Sequence, residues 1–283
     1  MVYFFFYVFM IKYYIMKSLI VIILIFIVVS IIYSHLVINK TRYFVRNKKI
    51  DKNLKIIFIS DLHNRRVVKK ILEIVDIECP DMVIFGGDMV DYDIKSSKSF
   101  FELVYKIKCK KYYIYGNHED YVEDIDSYTD MVKKKDLVLL NNKSDKISSN
   151  INLIGFRSDK DKYKRFKPVL LNKKDIINKV NKLDNKKYNI LVAHNPLEFD
   201  SYVDYGADLV LSGHVHGGVI KIPFIGGLLS PTFTFLPKYY YGVYNKSKTK
   251  MIVSAGLGYA RGFPIRMFNP GEVVIINLIK DKK

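Results

Sequence analysis

Six histidines occur in 283 residues, and five of them share one kind of neighbourhood. His63 stands in "SDLH", His118 in "YGNHED", His194 in "VAHN", and His214 and His216 in "SGHVHGG". Each follows an apolar run and lies beside aspartate, asparagine or glycine. His35, inside a long apolar segment, does not. Imidazole nitrogen with carboxylate oxygen, and no sulfur, suits Mn, Fe, Zn, Co or Ni rather than an iron–sulfur cluster or a structural zinc. Asp61 and His63 are two apart, so in extended backbone both leave one face and can reach one ion. In "FGGDMVD", Gly86 and Gly87 permit a tight turn from which Asp88 emerges. Asn117 adds an amide oxygen. One such histidine is ordinarily a hydrogen-bonded core or surface residue; five placed alike make coincidence a poor explanation. So many donors exceed the needs of one ion, and a shared aspartate is the natural bridge for two.

Such donors converge only if rigid elements carry them. "LKIIFIS" (54–60), "DMVIFGG" (81–87) and "KYYIYGN" (111–117) read as strands, and "LVLLN" (137–141) as a fourth. Helical spacing appears in "RRVVKKILEIVDI" (65–77), in "SKSFFELVYKIK" (97–108) and near 124–135. The rhythm predicts an α/β fold with a largely parallel sheet under helical cover. Residues 145–156 read as a hairpin and 175–183 as a helix. Strands follow at 188–194, 207–214, 251–258 and 272–279. The donors then sit at the carboxyl ends of strands, where open α/β sheets place their sites.

The net charge is +18. Residues 1–49 hold seven basic residues and no acid; the other 234 hold 39 basic and 28 acidic. A basic excess suits nucleic acid, anionic lipid or phosphorylated substrates. Lysines outnumber arginines 38 to 8, and no arginine stripe reads as a phosphate track, which argues against nucleic acid. Cys79 and Cys109 stand apart, outside any CxxC pair, and are expected as buried free thiols.

Residues 18–39 hold no Asp, Glu, Lys or Arg over 22 positions, about the length that crosses hydrocarbon. No small-residue cleavage site follows, so the segment reads as a single-pass anchor in the cell membrane rather than a signal peptide. Residues 1–17 read as a leader ahead of a natural start at Met16, 40–53 as a basic linker, and 54–283 as the domain. Two lysines precede the anchor and five basic residues follow it, which places the domain in the cytoplasm.

The ordered set D-x-H, G-G-D, G-N-H-E, lone His and G-H-x-H resembles the calcineurin-like metallophosphoesterase superfamily over residues 54–218. "HGGVIKIPFIGGLLSP", "PKYYYGVYN" and "SAGLGYARGFPIRMFNPGEV" extend the likeness nearly to the C-terminus. They resemble the bacterial membrane-associated branch of phosphodiesterases and UDP-2,3-diacylglucosamine hydrolases. The resemblance implies a four-layer α-β-β-α sandwich and two divalent transition-metal ions, with Mn ahead of Fe, Zn, Co or Ni. Asp61, His63, Asp88 and His216 would hold one ion. Asp88, Asn117, His194 and His214 would hold the other, with Asp88 bridging. His118 would serve the leaving group, Asp91 would orient it, and Glu119 would be structural; Asp91 as a helix cap or solvated loop acid is the competing reading. A metal-bridging hydroxide would attack a phosphodiester or pyrophosphate, with Asn117 among the donors to the phosphoryl group. Arg261 and Arg266 would grip a second phosphate or an anionic tail, unless they are mere surface charge.

This chain departs from the protein phosphatases, which carry Arg after "VD" where Tyr92 stands here. That counts against a phosphoprotein substrate. The expected substrate is a phosphorylated small molecule or lipid-linked nucleotide such as UDP-diacylglucosamine. A nuclease of the same superfamily and a non-catalytic metal-bound scaffold are the alternatives.

Overall fold

The computed structural model describes residues 1–63, 65–163, 171–231, 234–260 and 264–281. Helix α1 (Val2–Leu36) runs without a break across the expected boundary at 17/18. It is apolar all round, and its side chains from Tyr3 to Tyr33 are largely exposed. Among the described residues it is the one helix long and apolar enough to cross a membrane. A single residue, Val37, separates it from strand β1 (Ile38–Asn47). The expected basic linker is therefore mostly strand, and the apolar run stops being helical at Leu36. Two of its basic residues are ion-paired, Arg42 with Glu78 and Lys49 with Asp208.

The domain continues through β2 (Leu54–Ile59), α2 (Val68–Glu78), β3 (Met82–Phe85), α3 (Lys98–Lys106), β4 (Lys110–Tyr113), α4 (Ile125–Lys133) and β5 (Val138–Leu139). Then come β6 (Lys143–Lys146), β7 (Ile151–Phe156), α5 (Lys173–Val180), β8 (Tyr188–Ala193), α6 (Phe199–Tyr205) and β9 (Leu209–Ser212). A small hairpin, β10 (Ile220–Ile222) and β11 (Gly226–Leu229), precedes β12 (Gly242–Lys246), β13 (Thr249–Val253) and the last strand, β14 (Gly271–Lys280).

Two six-stranded sheets form, ordered β1-β14-β2-β3-β4-β5 and β12-β13-β9-β8-β7-β6. From β2 to β5 and from β7 to β9 the neighbours are parallel; β14 runs antiparallel to β2. The central strands read as unbroken apolar runs because both faces are covered. On β2, Ile57 and Ile59 pack towards the core under α2, α3 and α4, while Ile56 and Phe58 enter the core between the sheets. On β8, Ile190 and Val192 face that same middle core, and Leu191 and Ala193 face the core under α5 and α6. Three cores between four layers make the α-β-β-α sandwich.

Several strands are shorter than their apolar runs. β4 stops at Tyr113 and β13 at Val253, and the residues beyond them become loops around the histidines. Helix α5 begins earlier than its spacing indicates, because Asn172 caps it and Asp175 returns a bond to the Asn172 N–H. Both cysteines are free, as expected, but neither is fully buried: Cys109 is half-buried, and Cys79 is exposed as the left-handed residue that ends α2.

Candidate metal centre

Five of the candidate donors stand on strained backbone. Asp61, His63, Asp88, His214 and His216 have φ of 52°, 43°, 53°, 69° and 48°. Non-glycine residues avoid this region, at a cost of order 1–3 kcal/mol each. Each lies just past the end of a parallel strand, where the chain turns sharply and the side chain is thrown inward. Bare glycines make the room. A Cβ on Gly116 would lie 2.2 Å from Asp88 Oδ1, and one on Gly213 would lie 2.4 Å from Asp61 Oδ2.

The side chains meet at the shared edge of the two sheets. Asp88 Oδ2 lies 3.1 Å from His194 Nε2, 3.8 Å from His63 Nε2 and 3.9 Å from His118 Nε2. Nε2 of His216 is 3.2 Å from His63 Nε2 and 3.6 Å from Asp61 Oδ1. Donor atoms of Asp61, His63 and His216 fall within 4.8 Å of one another, and so do those of Asp88, His194 and His214. Asp88 thus belongs to one group and reaches a histidine of the other.

Fixed bonds aim these groups. Gly86 O lies 2.8 Å from His194 Nδ1, which leaves Nε2 facing the carboxylates. The His214 N–H donates to Asp61 Oδ1 at 2.9 Å, and the His118 N–H to Asp88 Oδ1 at 2.8 Å. Glu119 is buried and accepts from the N–H groups of Asp88, Met89 and Gly116 and from the Tyr113 hydroxyl, a bracket under the aspartate turn. Asp91 Oδ1 sits between His63 Nδ1 at 3.2 Å and His118 Nδ1 at 3.4 Å. It caps no helix: Asp93 caps the short 3-10 turn that follows.

Arg266 overturns its expectation. It is 1 % exposed, and its guanidinium donates to the carbonyls of Gly258, Ala255 and Asn269. Its Nη2 lies 3.3 Å from His216 Nδ1, so it backs a histidine and cannot grip a substrate phosphate. Arg261 lies outside the described residues. Sequence reading also missed three neighbours. Tyr163 sets its ring edge-on to His214 at 5.1 Å, Tyr92 stacks on His118 at 4.8 Å, and Asn269 Nδ2 donates to the His216 carbonyl at 2.7 Å. Only Tyr92, beside "VD", carried a signal.

Burial and local charge divide the imidazoles. Burial and His194 push His214 down to about 3, and burial and His63 push His216 well below the usual range. Burial opposes charge on His194 too, but Asp88 and Asp61 hold it up to about 10. Burial also resists ionisation of Asp88, yet His194 and His118 hold it well below the carboxylate range. For His118, burial is outweighed by Asp88 and Asp91, and its pKa rises. Ionised Asp88 beside neutral His214 and His216 is a donor set for a cation, and the proton held on His194 by Asp88 and Asp61 marks where positive charge is wanted. His214 Nε2 and Asn117 Oδ1 are buried with no hydrogen-bond partner among the described residues. Orphaned polar atoms are rare in folded chains, and a divalent ion fits these.

The model of the calcineurin-like phosphoesterase family matches residues 54–218. The chain belongs to that family. Membership implies divalent metal ions and a phosphorylated substrate. An uncharacterized metallophosphoesterase of Helicobacter pylori strain J99 is 35% identical over 241 residues, covering 82% of this chain and 61% of that protein. This chain therefore spans about three-fifths of that relative's length. An uncharacterized metallophosphoesterase of Aquifex aeolicus is 29% identical, covering 87% and 95% of the two chains. A zebrafish (Danio rerio) transmembrane protein with a metallophosphoesterase domain is 26% identical, covering 80% and 53%.

Proposed function

We propose that this chain is a membrane-tethered, two-metal phosphoesterase acting on a phosphodiester or pyrophosphate at the bilayer surface. The specific substrate class is a lipid-linked nucleotide such as UDP-diacylglucosamine. The observation that carries the reading is Asp88, whose Oδ2 lies within 4 Å of three imidazoles from three different strand ends. Asp61, His63, Asp88 and His216 would hold one ion; Asp88, Asn117, His194 and His214 would hold the second. Two such ions, with Mn as the first choice, would supply an acidified water near neutral pH and positive charge for phosphate oxygens. His118, with Nδ1 towards Asp91, turns Nε2 inward, where it can hand a proton to the departing alkoxide. Asp91 holds that ring in register and favours its protonated form. With Arg266 buried, the anionic remainder of a substrate finds a different seat. A cavity of about 600 Å³ opens beside His63, where Arg66 and Lys69 supply positive charge and His35 and Tyr259 line the wall.

Helix α1 would cross the membrane once. The basic residues after it, Lys40 to Lys49, would keep the domain in the cytoplasm. The resemblance of the 216–273 segment to the membrane-associated branch supports the lipid-linked substrate.

The test is hydrolysis of a bis-nitrophenyl phosphodiester by the full chain in detergent with Mn²⁺. His118→Ala should lower kcat by about 10²–10⁴ while the bound metal stays. Asp88→Asn should lose both metal and turnover. A wild-type chain that holds two ions and hydrolyses no phosphoester would leave the scaffold reading instead.

A further inference from the structure

No stalk lifts the domain away from α1. The last three turns of the helix lie on the domain itself. Phe26 meets Phe268 with ring centroids 5.0 Å apart, the Asn269 N–H donates to Ser34 Oγ at 3.0 Å, and His35 stacks on Tyr259 at 4.9 Å. Ser30 and Ser34 are buried, Ile27 and Ile31 half-buried, while Val28, Val29, Ile32 and Tyr33 stay exposed. From Lys17 to Leu36 the helix rises about 28 Å, one hydrocarbon thickness. The stretch from Phe26 to Leu36 is then about 15 Å of near leaflet, less in depth if the helix tilts. Whatever packs on that stretch is at leaflet depth as well.

What packs there is loop 264–269, and it is sewn to the β10–β11 hairpin. Met267 bridges Ile220, its carbonyl accepts from the Lys221 N–H at 3.0 Å, and Asn269 Nδ2 donates to Val219 O at 3.2 Å. This one piece of structure carries Phe224 and Ile225 at the hairpin tip, Phe235 and Leu236 just beyond, and Ile265 in the loop. All five side chains are exposed; Phe224 is fully so and Phe235 is 65 % exposed. Large apolar side chains grouped on loop tips mark a contact surface.

We propose that the β10–β11 hairpin, with Phe235, Leu236 and Ile265, sinks into the same leaflet that holds α1 and forms a second membrane contact beside the metal cluster. The occupant is a bilayer because the helix alongside needs one. The cations around the cavity at the end of α1, Arg66, Lys69 and Lys70, stand at the level of lipid phosphates. Only three residues separate His216 from β10, so this contact sets the height of the cluster above the headgroups. The proposal rests on reading α1 as an anchor.

The chain contains no tryptophan, so single-tryptophan variants report cleanly. Ile22→Trp probes the anchor, Phe224→Trp and Phe235→Trp the hairpin region, and Tyr105→Trp the exposed side of α3. The full-length variants are reconstituted in phosphatidylcholine–phosphatidylglycerol vesicles with and without acyl-chain bromine. Emission should be lost to bromine at positions 22, 224 and 235 and kept at 105. Quenching at 22 with none at 224 and 235 overturns the docking surface and leaves the anchor standing. No quenching at 22 overturns the anchor, and the docking surface with it.

Discussion

Gly116 has no side chain because Asp88 occupies the space one would fill. Gly116→Ala places a methyl against Asp88 Oδ1 and the Asp88 N–H, both of which would have to move. Metal affinity should fall about 10–100-fold, as for loss of an outer support, and titration calorimetry with Mn²⁺ would read it. Glu119→Ala should act on stability instead. It leaves three backbone N–H groups buried without an acceptor, a loss of about 3 kcal/mol or more in urea unfolding. At this scale the donor types were legible, because imidazole and carboxylate in repeated glycine-flanked settings are a chemical pattern. Burial was not legible. Arg266 looks like any arginine in a loop until the fold closes over it and three carbonyls claim its guanidinium. Tyr163 sits in a lysine-rich stretch with nothing to mark it.

The strand that carries Asp61 also carries Phe58, whose ring lies where a Cβ on Gly86 would go. Phe58 is fully buried between the sheets, so Phe58→Ala should cost about 3–5 kcal/mol in chemical denaturation. It should also loosen the Gly86–Asp88 turn, lowering metal occupancy in the folded fraction. The inner strands were readable because their faces are covered on both sides and apolar runs say so. β1 was not readable. Its residues are largely polar and mostly exposed or half-buried, and its partner, β14, lies more than two hundred residues away. Ten paired positions created by tertiary contact leave no trace in local composition. The small hairpin was hidden for a related reason, since it is fixed by loop 264–269 more than by its own few residues.

For the whole molecule, ions bound to the folded chain alone stabilise it by mass action. At a hundredfold excess over Kd each ion adds about 2.7 kcal/mol, so chelation should lower Tm by roughly 5–10 °C per ion. Differential scanning calorimetry would show this, and a chelator that leaves Tm unchanged would speak against ions in the cluster. A reporter fused after Lys283 should be active only on the cytoplasmic side. The layered architecture followed from the alternation of strand and helix. The relation of helix to domain did not, because it depends on where α1 ends and how loop 264–269 grips it.

One residue lies between α1 and β1, and hydrogen bonding to β14 starts at the next. The junction has no swivel. A helix set in a thin membrane leans further than in a thick one. With a rigid joint, that lean passes undiminished into the sheet and from there to the histidine-lined edge. With α1 as the proposed anchor, membrane thickness would thus act as a dial on the angle at which the cluster faces the headgroups. Turnover in vesicles of graded acyl length should pass through an optimum that the same protein in detergent lacks.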